Sequence, residues 1–325
     1  MSWPQGWGSY RVPARWGLVA VLSCVVALPL VVPVQAQESG CYTQVARVAL
    51  HDDSGFLNIP ASINGHTTRM IVDTGSEGSL LSPEAAALFE TQRDKAVRTV
   101  VQGTGGVGHI VPNAIVTSFR VGKAQLGPVS VPVSALPATP RTEPAVEGLI
   151  GGDMLSGYDV EFNVAQGWLA LWRADAPDCT GPVGWRYIYR AVPLMVTDHH
   201  RALARLELDG HPLWALVDSG ARSRIVSETA AIRVGVPEST LQTDPGGLTQ
   251  GVDGHSQQYH WHRFHRLQIG QEREEAPVLT IMTLKDTADM LLGADWFATH
   301  RVWISYRTHT LYVMPSQRGG GQGGL

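Results

Sequence analysis

From Gln44 to His51 apolar and polar residues alternate, the period of a half-buried strand. The turn-forming run Asp52-Asp53-Ser54-Gly55 follows, then a second strand over Phe56 to Ile63. Asn64-Gly65 is a strong two-residue hairpin signal and leads into an apolar strand, Thr67 to Val72. Leu80 to Leu88 breaks the alternation: Ser82 in the N-cap position and Pro83 at the first helical position predict a short helix. Strands are expected around Ile115 to Val121 and Val129 to Val133, and Asp159 to Trp172 reads as a closing hairpin.

The same order then restarts. Tyr187 to Val196 matches the opening strand, Asp209-Gly210-His211 matches Asn64-Gly65-His66, and Ile225 to Ala231 repeats the short helix. Gly-containing runs, Gly103 to His109 and Thr249 to His255, follow the two helices, and Val302 to Met314 is a second closing hairpin. The layout is therefore a first half over 41–172, a linker over 173–186 in which Asp, Pro and Gly are prominent, a second half over 187–314 and a Gly-rich tail over 315–325, expected to be disordered.

Residues 1–36 read as an export signal: Arg11 and Arg15 form a basic n-region, Gly17 to Val34 an apolar stretch, and Val34-Gln35-Ala36 a small-residue cleavage site. The expectation is an exported protein, periplasmic or secreted. An uncleaved anchor is the alternative, against which Pro29 and Pro33 argue, and membrane association is expected only through that segment. Cys24 makes a poor lipidation match, because the residues after it stay apolar. Cleavage leaves Cys41 and Cys179; an oxidising compartment would let them pair, and two free thiols is the other reading. The formal net charge is −4 and no Lys/Arg-rich run appears, so nucleic acid is not expected as a partner. His260 and His262 share a strand face, a possible metal spacing, but no Cys or carboxylate cluster accompanies them and no metal is assigned.

The chemistry lies where apolar strands run into short polar turns. Met70-Ile71-Val72 leads into Asp73-Thr74-Gly75-Ser76, and Ala215-Leu216-Val217 into Asp218-Ser219-Gly220-Ala221, a shift of 218 − 73 = 145 residues. A carboxyl at the end of a buried strand loses solvent, which disfavours its ionised form. Two such carboxyls about 3 Å apart would repel by roughly 5 kcal/mol at an effective dielectric near 20, enough to make them share one proton. One could then act as general base on a water while the other, protonated, polarises a carbonyl. Asp53-Ser54-Gly55 also spells the triplet, but it follows His51-Asp52 instead of an apolar pair and is read as a turn.

These two loops resemble the catalytic loops of aspartic proteases. Leu149-Ile150-Gly151 and Leu291-Leu292-Gly293 are similar to the second signature of the retroviral-type, retropepsin-like group, at distances 151 − 73 = 78 and 293 − 218 = 75. The resemblance implies an all-β fold of two tandem retropepsin-like halves, a pseudo-twofold bilobed body in one chain, hence a monomer. In that family the second signature passes behind the catalytic loop. The resemblance implies catalytic roles for Asp73 and Asp218, loop support from Thr74, Gly75, Ser76, Ser219, Gly220 and Ala221, and a protein or peptide substrate cleaved without cofactor or metal. Gly105, Gly106, Gly108, Gly251 and Gly254 become flap candidates; two flaps fit the retroviral type. A further expectation is that the Ser76 hydroxyl donates to Asp73 and favours its ionisation, leaving the shared proton on Asp218; the other reading is that the pair titrates as a unit with no assignment to either member. The viral pattern has Arg after the second-signature Gly and Asp soon after the triplet; here those places hold Gly152 and Ala294, and Glu77 and Arg222. The ion pair those groups make in the family is then absent here, and fusion lessens the need for such a brace, since each half is tethered to the other. The competing class is an exported peptide- or envelope-binding module that keeps the fold without turnover.

Overall fold

Asn64-Gly65 and Asp209-Gly210 hold positive φ at both residues, 49° and 89° in the first pair and 50° and 80° in the second. That geometry matches the strand twist of a tight hairpin, and it joins Phe56–Ile63 to His66–Val72 and Ala202–Leu208 to His211–Val217 as antiparallel pairs. Each turn's first side chain is also tied down. Asn64 Oδ1 accepts from Thr117 N and Ser118 N at 3.0 and 3.1 Å, and Asp209 Oδ1 from His265 N and Arg266 N at 2.8 and 2.7 Å. The computed structural model describes residues 40–103, 108–136, 139–250 and 256–316. The leader and the last residues of the Gly-rich tail lie outside them.

Both short helices form where the capping pattern places them. Ser82 Oγ accepts from Ala85 N at 2.9 Å at the head of Pro83–Leu88, and Ser227 Oγ from Ala230 N at 3.1 Å at the head of Glu228–Arg233. Behind each helix an apolar strand inserts. Val146–Ile150 runs parallel to His66–Val72 and antiparallel to Leu80–Leu81. Met290–Leu292 runs parallel to His211–Val217 and antiparallel to Ile225–Ser227. Gly151 and Gly293 follow these strands, and a Cβ on either would lie under 3.0 Å from backbone atoms of the neighbouring loop, Gly78 in one half and Ser223 in the other.

The halves meet in six antiparallel strands ordered Tyr42–Ala49, Trp168–Ala174, Asp159–Asn163, His300–Ser305, Thr310–Pro315 and Arg190–Val196. Each half supplies three, and the central pairing sets Asp159 opposite Ser305 and Glu161 opposite Trp303. Trp168–Ala174 extends into the stretch read as linker, and the second opening strand starts at Arg190. Glu161 is fully buried yet well partnered: it accepts from Trp172 Nε1 at 2.9 Å, Trp185 Nε1 at 2.6 Å and Arg301 Nε at 2.8 Å. A buried carboxylate needs such partners to be tolerated. Trp303 packs between Tyr42 and Trp172, both at 5.4 Å between ring centroids. At the border of this aromatic cluster Cys41 and Cys179 form a disulfide across 138 residues. It ties the lead of the first half to the linker rather than to the second half. No helix among the described residues is long and apolar enough to cross a membrane.

Candidate active site

Asp73 and Asp218 each stand one residue beyond a buried strand end, Val72 and Val217. The inserted strands fix the start of each loop: Asp73 N donates to Ile150 O at 2.9 Å, and Asp218 N to Leu292 O at 3.1 Å. The two loops then lock to each other through hydroxyls that donate and accept at once. Thr74 Oγ1 donates to Val217 O at 2.6 Å and accepts from Ser219 N at 3.0 Å. Ser219 Oγ donates to Val72 O at 2.7 Å and accepts from Thr74 N at 3.1 Å. Both residues are fully buried, so an unmade bond here would leave a polar group without water.

Gly75 and Gly220 let the carboxyls approach. A Cβ on Gly75 would lie under 3.0 Å from the Asp218 carboxyl, and a Cβ on Gly220 equally close to that of Asp73. Each loop also solvates its own carboxylate: Asp73 Oδ1 accepts from Gly75 N at 3.0 Å and Ser76 N at 2.9 Å, Asp218 Oδ1 from Gly220 N and Ala221 N, both at 3.0 Å. Burial raises both carboxyls above the usual range. Asp218 is pushed up to about 8 by burial first and then by the negative charge of Asp73. Asp73 is raised by burial, against which work the N–H groups of Ser76 and Gly75 and a hydrogen bond from Asp218. Asp218 thus feels the added push of the Asp73 charge, Asp73 is relieved by the bond from Asp218, and the two carboxyls titrate as a coupled pair.

The cause the sequence reading gives for a more readily ionised Asp73 is wrong. The Ser76 hydroxyl donates to Gly78 O at 2.8 Å, not to its own loop's carboxylate; the contribution of Ser76 is its backbone N–H, which Ala221 matches in the other half.

Beyond the loops the halves diverge. Ser79 Oγ donates to Asp153 Oδ1 at 2.6 Å, whereas Arg224, at 79 + 145, pairs with Asp295 at 2.9 Å and also with Glu274. The second half therefore has an Arg–Asp brace with its charges exchanged relative to the viral pattern, the acid following the Gly and the Arg following the triplet. Besides Arg301, which meets Glu161 at the junction, two arginines next to the loops reach from the second half to the first: Arg222 Nε donates to Ser54 O at 2.9 Å with its guanidinium over the Phe56 ring, and Arg201 Nε donates to Gly75 O at 3.0 Å. Below the dyad Tyr306 is buried, its hydroxyl pushed up by burial and by the charge of Asp73, with no hydrogen-bond partner among the described residues. Neither Arg201 nor Tyr306 was singled out from sequence; the signal for Arg201 is that its counterpart, 201 − 145 = 56, is Phe56.

Two hairpins form around the Gly-containing runs, Gln92–Gln102 with Gly108–Val116 and Gly246–Gln250 with Ser256–Arg263. Gly108 begins a strand arm; Gly105, Gly106, Gly251 and Gly254 lie outside the described residues. Asp53-Ser54-Gly55 is a turn, with Gly55 N donating to Asp52 Oδ1 at 2.7 Å. His260 and His262 both turn to Asp244, His262 Nδ1 lying 2.7 Å from its carboxylate and His260 Nδ1 3.3 Å from its carbonyl.

A sequence model described as Aspartyl protease matches residues 59–154 and 204–296, one segment in each half and together more than half of the chain. The chain belongs to the aspartyl protease family, and its two halves form the two-lobed retropepsin-like fold. It is similar to DNA damage-inducible protein 1 of Kluyveromyces lactis, 31% identical over 128 residues, 39% of this chain and 30% of that protein. It also resembles the protein of that name from Cryptococcus neoformans var. neoformans serotype D, 32% over 108 residues, 33% of this chain and 24% of the relative. The Chaetomium globosum protein is 25% identical over 123 residues, 37% and 26%. The chain spans less than a third of the length of these relatives.

Proposed function

We propose that the protein is an aspartic endopeptidase in which Asp73 and Asp218 are the catalytic residues. The observation that carries this reading is the mutual approach of two carboxyls, each made possible by the glycine of the opposite loop. A water between them loses a proton to Asp73 as its oxygen attacks the scissile carbonyl carbon, while Asp218 protonates the carbonyl oxygen. Collapse of the resulting diol breaks the C–N bond as Asp73 passes its proton to the leaving amine and Asp218 regains one from the diol. The buried Thr74–Ser219 lock keeps both carboxyls aligned through these transfers.

The substrate is a protein or peptide held beneath the two hairpins. Export to a periplasmic or extracellular space is supported by the leader pattern of residues 1–36 and by the Cys41–Cys179 bond, since disulfides persist in oxidising compartments. The test is digestion of a diverse peptide mixture by purified protein from acidic to neutral pH, beside Asp73→Asn and Asp218→Asn. Cleavage by the wild type alone is the expected result, and activity surviving either substitution sinks the dyad mechanism.

A further inference from the structure

The dyad is symmetric in its own loops but not in the charges around it. Arg201 leaves the second half just ahead of the strand Ala202–Leu208 and reaches the first loop, where Nε donates to Gly75 O at 3.0 Å. Its Nη2 is held by Asp286 Oδ2 at 2.6 Å, and the other oxygen of Asp286 accepts from Ala288 N at 2.9 Å, which anchors the pair to its own half. Both side chains are largely buried, 15% and 11% exposed, so the ion pair is poorly screened by solvent. Gly75 is the residue against which the Asp218 carboxyl rests and whose N–H solvates Asp73. Arg201 thus grips a residue that touches both carboxyls, the place Gly220 takes in the other loop. The mirrored position is occupied by Phe56, a neutral ring covered by Arg222, whose Nε is engaged on Ser54 O.

The remaining charged or titratable groups near the dyad are accounted for within their own neighbourhoods. Asp153 accepts from Ser79 Oγ, and Asp295 pairs with Arg224. Glu77 follows the first loop and contributes its carbonyl to Asp153 N. His200 precedes Arg201 in a turn closed by its N–H on Thr197 O, Lys285 precedes Asp286, and Tyr306 lies below as a neutral phenol. The positive charge of Arg201 acts on both carboxyls in the direction of ionisation.

We propose that Arg201, restrained by Asp286, is a positioning residue for the dyad: it fixes the Gly75 peptide and supplies an unmirrored positive charge that favours the singly ionised pair. The second half thereby sets the acidity of both carboxyls, and the net charge of the Arg201–Asp286 pair determines the pH window. This deepens the peptidase reading and rests on it for its catalytic meaning, while the electrostatic part can be read without turnover.

The experiment is a titration of the dyad by NMR of protein carrying 13Cγ-labelled aspartate, run beside pH–rate profiles, for wild type, Arg201→Gln, Arg201→Lys, Asp286→Asn and the double variant. Removing the cation makes both carboxyls harder to ionise, so Arg201→Gln moves both apparent pKa values and both limbs of the profile up, by about one pH unit. Asp286→Asn unmasks the cation and moves them down by about half a unit. The double variant returns part of the way to wild type. Arg201→Lys keeps the charge without the forked grip, so its limbs stay near wild type while kcat falls several-fold. A purely structural role predicts losses of kcat with unmoved limbs. Titrations unchanged in Arg201→Gln, or Arg201→Gln and Asp286→Asn moving in the same direction, overturn the proposal. A wild type that cleaves nothing would remove the peptidase reading, and the NMR titration would still decide the effect of Arg201.

Discussion

Residues 73–76 and 218–221 repeat each other's bonds, while the residues one layer further out do not. Within the loops, Thr74 mirrors Ser219, Gly75 mirrors Gly220, and paired N–H groups meet each carboxylate. Outside them Ser79 is answered by Arg224, and Phe56 by Arg201. The difference separates what two facing carboxyls require from what merely supports them. A buried hydroxyl lock and a glycine at van der Waals contact admit few substitutes, whereas a loop can be held to its helix by a hydroxyl on a carboxylate or by an ion pair.

The largest effect tests the loops themselves. Asp73→Asn and Asp218→Asn should each lower kcat/KM by about a thousandfold or more, because a general acid and a general base cannot act without each other. Asp218→Asn should at the same time stabilise the fold at pH 7. The raised carboxyl is protonated in the native state up to about 8, but in the unfolded chain it ionises near 4. Stability from this group is therefore full below pH 4 and declines as pH rises to about 8. An amide removes that penalty, by about 2 to 4 kcal/mol at pH 7, to be read by denaturant unfolding; a loss of stability there would break the assignment.

Breaking the bond that ties the lead of the first half to the linker comes next. A Cys41→Ser, Cys179→Ser double variant should lose about 4 to 5 kcal/mol on a chain-entropy view of so long a loop, measured as a lower urea midpoint. A close-approach test follows, and it should be symmetric. Gly75→Ala and Gly220→Ala each push a methyl into the opposite carboxyl and should cost about 3 kcal/mol, with activity lost in both; tolerance of either would mean that the carboxyls do not meet as described.

Smaller effects should be unequal. Arg224→Ala removes a partly buried pair and should cost about 1 to 2 kcal/mol, against about 1 kcal/mol for Ser79→Ala; equal losses would erase the distinction between the braces. Ser76→Ala should be the mildest, leaving the acid limb of the pH–rate profile in place, because the hydroxyl it removes bonds Gly78 O.

Much of this was legible because it is local. Asn64-Gly65 can adopt its two positive φ values with little help, and Ser82-Pro83 announces a helix start within three residues. The loops were legible through repetition, a signal that survives divergence around them. The sequence could not show where the Ser76 hydroxyl points, since Gly78 O competes for it from the next turn. The Cys41–Cys179 bond was one of two readings the sequence left open, because nothing local brings residues 138 apart together. Arg201 meets Gly75 across 126 residues, and Glu161 resembles an exposed strand charge until Trp172, Trp185 and Arg301 close over it.

The six-stranded junction has a consequence for inheritance. When two identical chains build such a centre, every substitution appears twice, so a residue cannot be cationic on one side and aromatic on the other. Here three strands from each half meet within a single polypeptide, and the two sides are encoded separately. A cation can therefore arise at position 201 while a phenyl ring stays at 56, and the centre assembles at any dilution because its partner arrives on the same chain.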